Sequence, residues 1–314
     1  MSKTTVNTAF KSLITEERNS RTMDLDLLNT EDLVRLVQSE DLEVAKAVAA
    51  VVPEIAKAVD LAAECLSSGG RLVYFGAGTS GRLGVLDATE CTPTFGVEPH
   101  MVQAWIAGGK EAMFQAFENS EDSFELGEED VEEANITAKD LVVGISASGR
   151  TPYVLGAMKK SKERGAKVVA VVNNPGSSMS AIADVNIAAL VGPEAITGST
   201  RMKAGTAQKM ILNLISTTTM VKLGKVYENL MVDLKPTNDK LRERALSIIC
   251  TVCDVQRPIA EGALVASSNK VKTAILMINR KMGRANAEEM LTKCKNSLRK
   301  ALTEGLAEEP KAAN

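Results

Sequence analysis

Histidine and aromatic residues are scarce in this chain. His100 is the only histidine among 314 residues, and phenylalanine, tryptophan and tyrosine together account for 3%. A single histidine excludes a metal site built on several histidines. A catalytic triad that depends on histidine would have to use His100, and nothing in the sequence around His100 suggests one. With so few aromatic rings, the core has to consist mostly of Ala, Val, Leu, Ile and Met.

Cysteine is also infrequent. Five cysteines are too few for a disulfide framework in a chain of 314 residues. Cys250 and Cys253 have the spacing of a zinc or redox motif, but no second pair accompanies them. Residues 246–253 have the apolar pattern of a helix face, where cysteine acts as a small hydrophobic residue. We therefore predict a helix here and expect neither a bound metal nor a cofactor.

Long apolar runs and an excess of basic residues are both missing. No run approaches the roughly 20 residues that span a bilayer, and residues 1–7 lack the pattern of a signal peptide. The formal net charge is −3, so no basic field for nucleic acid or acidic lipid follows. We expect a cytoplasmic protein that binds neither nucleic acid nor a membrane.

Strand-like and helix-like runs alternate through the middle of the chain, and several strands are apolar on both faces. This pattern predicts an α/β fold, a doubly wound parallel sheet covered by helices. After about residue 239 only helical periodicity remains, which predicts a small C-terminal helical bundle. The predicted strands are 71–75, 102–106, 140–145, 167–172 and 186–190. The predicted helices are about 52–69, 81–90, 110–119, 152–164, 201–223, 239–254, 258–266, 269–282 and 285–303.

The most informative stretch is residues 76–81, here called the first loop, which follows the first predicted strand and reads GAGTSG. Glycines let the backbone approach a ligand, and a helix N-terminus favours an anion. The GxGxxG outline alone is weak evidence for a dinucleotide site, which would need an acidic residue after the second strand. That strand ends in Ala107-Gly108-Gly109. The hydroxyls of Thr79 and Ser80 therefore favour a phosphate monoester.

Two further segments repeat this chemistry. The second loop, residues 146–152, supplies the hydroxyls of Ser146, Ser148 and Thr151 ahead of a predicted helix. The third segment, residues 197–206, adds more hydroxyls, including that of Ser199, and the cation of Lys203. Three such segments in one domain predict a sugar-phosphate binding site.

These motifs resemble those of a known family. Residues 76–82 and 146–151, which read GAGTSGR and SASGRT, resemble the signature of sugar isomerase (SIS) domains. Longer stretches resemble the N-acetylmuramic acid 6-phosphate etherase family: residues 15–19, 76–95, 146–154 and 197–209. Two departures are mild. Thr92 stands where the family usually has proline, and residues 118–122 read ENSED instead of EGAED, with the carboxylates in register.

The resemblance implies an enzyme that replaces the lactyl ether of N-acetylmuramic acid 6-phosphate with water by elimination and then hydration. It implies Glu90 as proton donor to the leaving oxygen and Glu121 as the second acid/base group, although which takes which step stays open. Such chemistry needs two protonatable groups, and burial can tune glutamates for it. The implied substrate-binding residues are Thr79, Ser80, Ser146, Ser148, Thr151, Ser199 and Lys203.

The resemblance further implies a homodimer and three segments: an N-terminal helical arm (1–50), a flavodoxin-like SIS domain (51–228), and a C-terminal helical domain similar to ubiquitin-associated domains (229–314).

Three other interpretations of the function stay open. A ketose–aldose sugar-phosphate isomerase would share the phosphate site but release no D-lactate. A sugar-phosphate regulatory protein similar to the glucokinase regulator would be longer and carry two SIS domains. A helical adaptor would use residues 239–303.

Overall fold

The computed structural model of this protein describes residues 13–115, 117 and 119–304. The chain divides into two compact units. Of the described residues, the first unit contains those up to Glu90 together with Glu98–Thr219, and the second contains Cys91–Val97 and those from Met220 onward. None of the helices that the structure describes is both long and apolar enough to cross a membrane.

The first unit is built on a five-stranded parallel sheet, as the sequence predicts. The strand order is β2-β1-β3-β4-β5, and every neighbouring pair is parallel. All residues of β1 and β3 are buried, because helices cover both faces of the sheet. The strands are β1 (Leu72–Gly76), β2 (Val102–Ile106), β3 (Leu141–Ser146), β4 (Lys167–Val172) and β5 (Val185–Ala188). The five predicted strands are therefore confirmed to within two residues.

Seven α-helices of the described chain lie wholly or mostly in this unit, two of them ahead of the sheet. They are α1 (Thr30–Ala49), α2 (Val52–Ser67), α3 (Gly78–Phe95), α4 (Phe124–Glu133), α5 (Pro152–Glu163), α6 (Ser178–Ile182) and α7 (Lys203–Lys222). The last residues of α3 and α7 belong to the second unit. Short 3₁₀ turns at Ile14–Glu16, Ser20–Thr22 and Leu25–Leu27 precede α1. We call residues 13–49 the arm.

One helix prediction in this unit is wrong. The sequence predicts a helix over residues 110–119, but the described residues of this stretch form a 3₁₀ turn at Lys110–Met113 and no α-helix. The helix lies further on, at α4, inside a run of acidic residues. Ser123 caps it by accepting the Leu126 amide. A side chain at Gly127 would approach the Tyr153 carbonyl oxygen to 2.0 Å, so glycine allows α4 to pack closely on α5.

The sheet register brings the first and second loops together. Gly76 at the end of β1 is paired with Ile145, one residue before the end of β3. Because the carboxyl ends of parallel strands meet at one edge, the loops that follow β1 and β3 emerge side by side. We call this the carboxyl edge of the sheet.

The second unit is helical, as predicted. Its helices beyond α7 are α8 (Asp239–Cys253), α9 (Arg257–Ala266), α10 (Val271–Arg280), α11 (Arg284–Lys293) and α12 (Leu298–Thr303). They enclose a core that includes Ile249, Leu264 and Ile275. The segment predicted as a single helix over 285–303 is divided, because Lys295 and Asn296 adopt positive φ angles of 52° and 60°. Cys250 and Cys253 lie in the last turn of α8, so the helical interpretation of that pair is confirmed.

Candidate active site

The first loop turns tightly from β1 into α3. A side chain at Gly76 would lie 2.7 Å from the Gly81 amide nitrogen, so only glycine permits the turn. Ser80 is 9% exposed, and its hydroxyl donates to Gln208 Oε1 at 2.8 Å. Thr79, beside it, is half-buried. The loop is thus fastened to α7 through Ser80, and the positive end of α3 faces the carboxyl edge.

The second loop gathers three hydroxyl groups around Ser146. Its Oγ lies 2.7 Å from Thr151 Oγ1 and 3.2 Å from Ser148 Oγ, and it accepts the Gly149 amide at 3.1 Å. Gly149 has a φ of 65°, and a side chain there would lie 2.4 Å from the Cβ of Ser177. These contacts hold the three hydroxyl groups close together at the start of α5.

The third segment precedes α7, and a buried carboxylate already occupies the N-terminus of that helix. Glu194 accepts the amides of Lys203 and Ala204 at 2.8 and 2.9 Å. Burial raises the pKa of Glu194. Because these amides are taken, they are not available to a phosphate. Ser199 is half-buried and stays a candidate ligand to the sugar.

The side chain of Lys203 is paired inside the protein. Its Nζ lies 2.8 Å from Glu40 Oε2, and both side chains are 1% exposed. Glu40 also accepts a hydrogen bond from Arg21 at 2.7 Å and one from Asn19 at 2.8 Å. The hydrogen bond from Arg21, together with those from Lys203 and Asn19, lowers the pKa of Glu40 to about 2. The ion pair joins the arm to α7.

The arm also reaches the second loop. Asn174 donates from its Nδ2 atom to Thr15 Oγ1 and to the Ala147 carbonyl oxygen, each at 2.9 Å. A further chain of hydrogen bonds runs from Gln208 Nε2 to Asn173 Oδ1 at 3.1 Å and from Asn173 Nδ2 to the Ala189 carbonyl oxygen at 2.9 Å. No motif in the sequence predicts a role for these three amide side chains. Residues 15–19 were noted there only through the family resemblance.

Glu121 lies beside the first loop. It belongs to the 3₁₀ turn Ser120–Asp122 and borders a cavity of about 240 Å³. The other residues that line this cavity are Ala77, Gly78, Arg82, Ala107, Ala112 and Phe117. Arg82 donates to the carbonyl oxygens of Met113 and Gln115, which holds the connection before Glu121 against α3. The structure therefore brings Glu121 to the carboxyl edge.

Glu90 lies elsewhere. It is exposed and stands near the end of α3, twelve positions after Gly78. At 1.5 Å per residue this separates it from Gly78 by about 18 Å along the helix. Within one chain, the structure does not bring Glu90 to the cavity that Glu121 borders.

Comparison with known proteins decides the family. The SIS domain model matches residues 113–218, and the model of the glucokinase regulatory protein N-terminal SIS domain matches residues 54–162. N-acetylmuramic acid 6-phosphate etherase 1 of Bacillus licheniformis is 51% identical over 297 residues, which cover 95% of this chain and 98% of the relative. The chain belongs to the N-acetylmuramic acid 6-phosphate etherase family. The predicted resemblance is thereby confirmed.

Other relatives agree with this assignment to the etherase family. N-acetylmuramic acid 6-phosphate etherase 2 of Vibrio cholerae is 50% identical, and the match covers 94% of this chain and 96% of that one. Among solved structures, a phosphoheptose isomerase from Francisella tularensis is 17% identical with a TM-score of 0.48, covering 61% of this chain and 98% of that chain. This structural similarity is too low to support any conclusion about the reaction.

Proposed function

We propose that this chain cleaves the lactyl ether of N-acetylmuramic acid 6-phosphate with water, giving N-acetylglucosamine 6-phosphate and D-lactate. The observation that carries the proposal is the 51% identity to an etherase over 95% of the chain. The hydroxyl cluster of the second loop supports it, because a phosphate monoester needs several donors at one point.

The reaction proceeds through the open-chain aldehyde of the sugar. A base removes the proton from C2, the C2–C3 double bond forms, and the C3–O bond to lactate breaks as that oxygen takes a proton. Water then adds, with its oxygen going to C3 and its proton to C2. Two carboxyl groups suffice for these transfers, and we assign them to Glu121 and Glu90.

The phosphate group binds where the first and second loops meet. Ser146, Ser148 and Thr151 donate hydrogen bonds to its oxygens, and Ser80 contributes from the first loop by turning its hydroxyl from Gln208 to the phosphate. The positive ends of α3 and α5 add to this attraction. Thr79 and Ser199 contact the sugar, and Lys203 acts indirectly, as a positioning residue that holds α7 to the arm.

A second copy of the chain completes the site in this proposal. Glu90 is exposed and lies about 18 Å along α3 from Gly78. An exposed carboxylate can reach the cavity of a partner when two copies pack about a twofold axis, and such packing gives two equivalent sites. We therefore propose a homodimer in which each site takes Glu121 from one chain and Glu90 from the other.

The direct test is incubation with N-acetylmuramic acid 6-phosphate in water enriched in ¹⁸O, with an enzymatic assay for D-lactate. We expect D-lactate to form and the label to appear at C3 of the product sugar. Label in the lactate would reject elimination and hydration.

A parallel incubation with fructose 6-phosphate tests the isomerase alternative. A ketose–aldose isomerase would convert it to an aldose phosphate and would release no D-lactate.

Replacement of Ser146 tests the phosphate site. Ser146→Ala removes the hydroxyl that links Ser148, Thr151 and the Gly149 amide, and a hydrogen bond to a charged group contributes about 1.5–3 kcal/mol. We expect KM to rise by roughly 10- to 150-fold with a smaller change in kcat.

Ser161→Ala is the matched control for this change. Ser161 is also buried, and its hydroxyl donates only to the Ala157 carbonyl oxygen within α5. Steady-state kinetics should show an unchanged KM for this variant. An unchanged KM in Ser146→Ala would show that the second loop does not bind the phosphate group.

A further inference from the structure

Glu16 is a carboxyl group at the candidate active site for which the mechanism so far has no use. It ends the 3₁₀ turn Ile14–Glu16 and is half-buried. Burial raises its pKa, and no hydrogen bond or charge contributes to that change. Two other carboxylates in the same unit contrast with it: Glu40 has three side-chain partners and Glu194 has two backbone amides.

The carboxyl group of Glu16 is half-buried, and its oxygens are still reached by solvent, so a ligand can reach them too. Among the residues that the structure describes, no side chain or amide forms a hydrogen bond or an ion pair with the Glu16 carboxyl group. A titratable side chain with a shifted pKa and no structural partner is characteristic of groups that act on a ligand.

Contacts on two sides place Glu16 among the substrate-binding segments. On one side, the neighbouring Thr15 is hydrogen-bonded to Asn174, which also holds the carbonyl oxygen of Ala147. Ala147 lies between Ser146 and Ser148 of the second loop. On the other side, a Cβ at Gly198 of the third segment would be 3.0 Å from Glu16 Oε2.

The proposed reaction needs a further step, to which no residue has yet been assigned. The C2 proton becomes acidic only when C1 is a carbonyl carbon, so the sugar ring must open before elimination. Opening requires that the C1 hydroxyl lose a proton and that the ring oxygen gain one. The only histidine, His100, precedes β2 and therefore lies at the amino edge of the sheet, away from the three segments.

We propose that Glu16 is a third acid/base group of this site and opens the ring of the bound sugar; the inference rests on the proposed etherase function. The protonated carboxyl gives its proton to the ring oxygen as the C1–O5 bond breaks. Its other oxygen takes the proton of the C1 hydroxyl as the C1=O bond forms. The carboxyl is left protonated, so no proton is gained or lost overall.

Ring opening can be measured without elimination by using N-acetylglucosamine 6-phosphate, which has no lactyl group to lose. Exchange between its α and β anomers is followed by saturation transfer at the C1 proton in ¹H NMR. We expect the wild-type protein to accelerate this exchange and Glu16→Gln to lose roughly 10²-fold or more of the acceleration, the usual contribution of a general acid/base. Glu16→Asp, which retains a carboxyl group, should recover part of it.

Matched variants separate the proposed role of Glu16 in ring opening from the role of Glu121 in the release of lactate. Glu17→Gln changes the next residue, which is exposed, and should leave anomer exchange unchanged. Glu121→Gln should retain anomer exchange while losing D-lactate release. Equal melting temperatures for Glu16→Gln and wild type show that a loss does not come from unfolding.

Two results would overturn the inference: wild-type protein that does not accelerate exchange above buffer, or Glu16→Gln that accelerates it as well as wild type. Failure of the proposed function gives a different pattern. In that case exchange would still depend on Glu16 although no D-lactate is released from N-acetylmuramic acid 6-phosphate.

Discussion

Glu121→Gln is expected to lower D-lactate release by about 10²- to 10⁴-fold, the range that a lost general acid/base produces. Glutamine has nearly the same size as glutamate and still forms hydrogen bonds, but it cannot carry the transferred proton. Because Glu121 borders the cavity beside the first loop, substrate binding should survive. The expected result is therefore a fall in kcat with a nearly unchanged dissociation constant for N-acetylglucosamine 6-phosphate.

Asp122→Asn is the control for this variant. Asp122 lies in the same 3₁₀ turn and is exposed, yet it does not border the cavity. It should retain most of the wild-type turnover. If Glu121→Gln is as active as Asp122→Asn, the acid/base assignment to Glu121 is wrong.

Glu90→Gln should be equally inactive, and a mixture of the two variants tells where Glu90 acts. If each site draws Glu90 and Glu121 from different chains, a mixed dimer has one site with both glutamates and one with neither. Random exchange of equal amounts makes half of the dimers mixed, so about a quarter of the wild-type activity should return.

Two alternative outcomes of the mixing experiment are informative. If both glutamates acted from the same chain, every site in the mixture would lack one of them and no activity would return. A protein that sediments as a monomer and remains active would also contradict the shared site. The control is a mixture of Glu121→Gln with itself, carried through the same exchange procedure.

The sheet could be predicted because its strands are short apolar runs bounded by glycine and hydroxyl residues. β1 and β3 are buried on both faces, which makes them recognisable as central parallel strands. α4 was harder to predict, since seven of its ten residues are Glu, Gly or Asp and its buried stripe consists of Gly127 and Val131. Close backbone packing of this kind leaves little hydrophobic signal in the sequence.

The hydroxyl segments of the site could also be predicted, because phosphate binding uses short local motifs. The residues that contact those segments could not be predicted. Lys203 looks like a ligand when the sequence alone is considered, but Glu40 pairs with it from 163 positions away. The amides of Asn173, Asn174 and Gln208 carry no sequence signal, because their role depends on which loops the fold places beside them.

Glu40→Gln should destabilise the protein by about 3–5 kcal/mol, the usual effect of breaking a buried ion pair on one side. The variant leaves the Lys203 ammonium group buried without a carboxylate and also loses the charged hydrogen bond from Arg21. Urea denaturation at pH 7 measures the change in the free energy of unfolding. Because the pair joins the arm to α7, KM should rise as well.

The control for this change is Glu31→Gln on the same helix. Glu31 forms an exposed pair with Arg35 one turn along α1, and such pairs contribute about 0.3–0.5 kcal/mol. A loss of more than about 1 kcal/mol in Glu31→Gln would show that α1 itself, and not the buried pair, responds to the substitution.

The pH dependence gives a second, independent check on Glu40. Its folded-state pKa of about 2 lies below the ordinary value of 4.5, so its contribution to stability is complete above about pH 4.5 and is lost as the pH falls toward 2. The difference in unfolding free energy between wild type and Glu40→Gln should therefore be constant from pH 7 to about 5 and shrink below that. A difference that stays constant down to pH 2.5 would mean that the carboxylate charge does not hold the arm to α7.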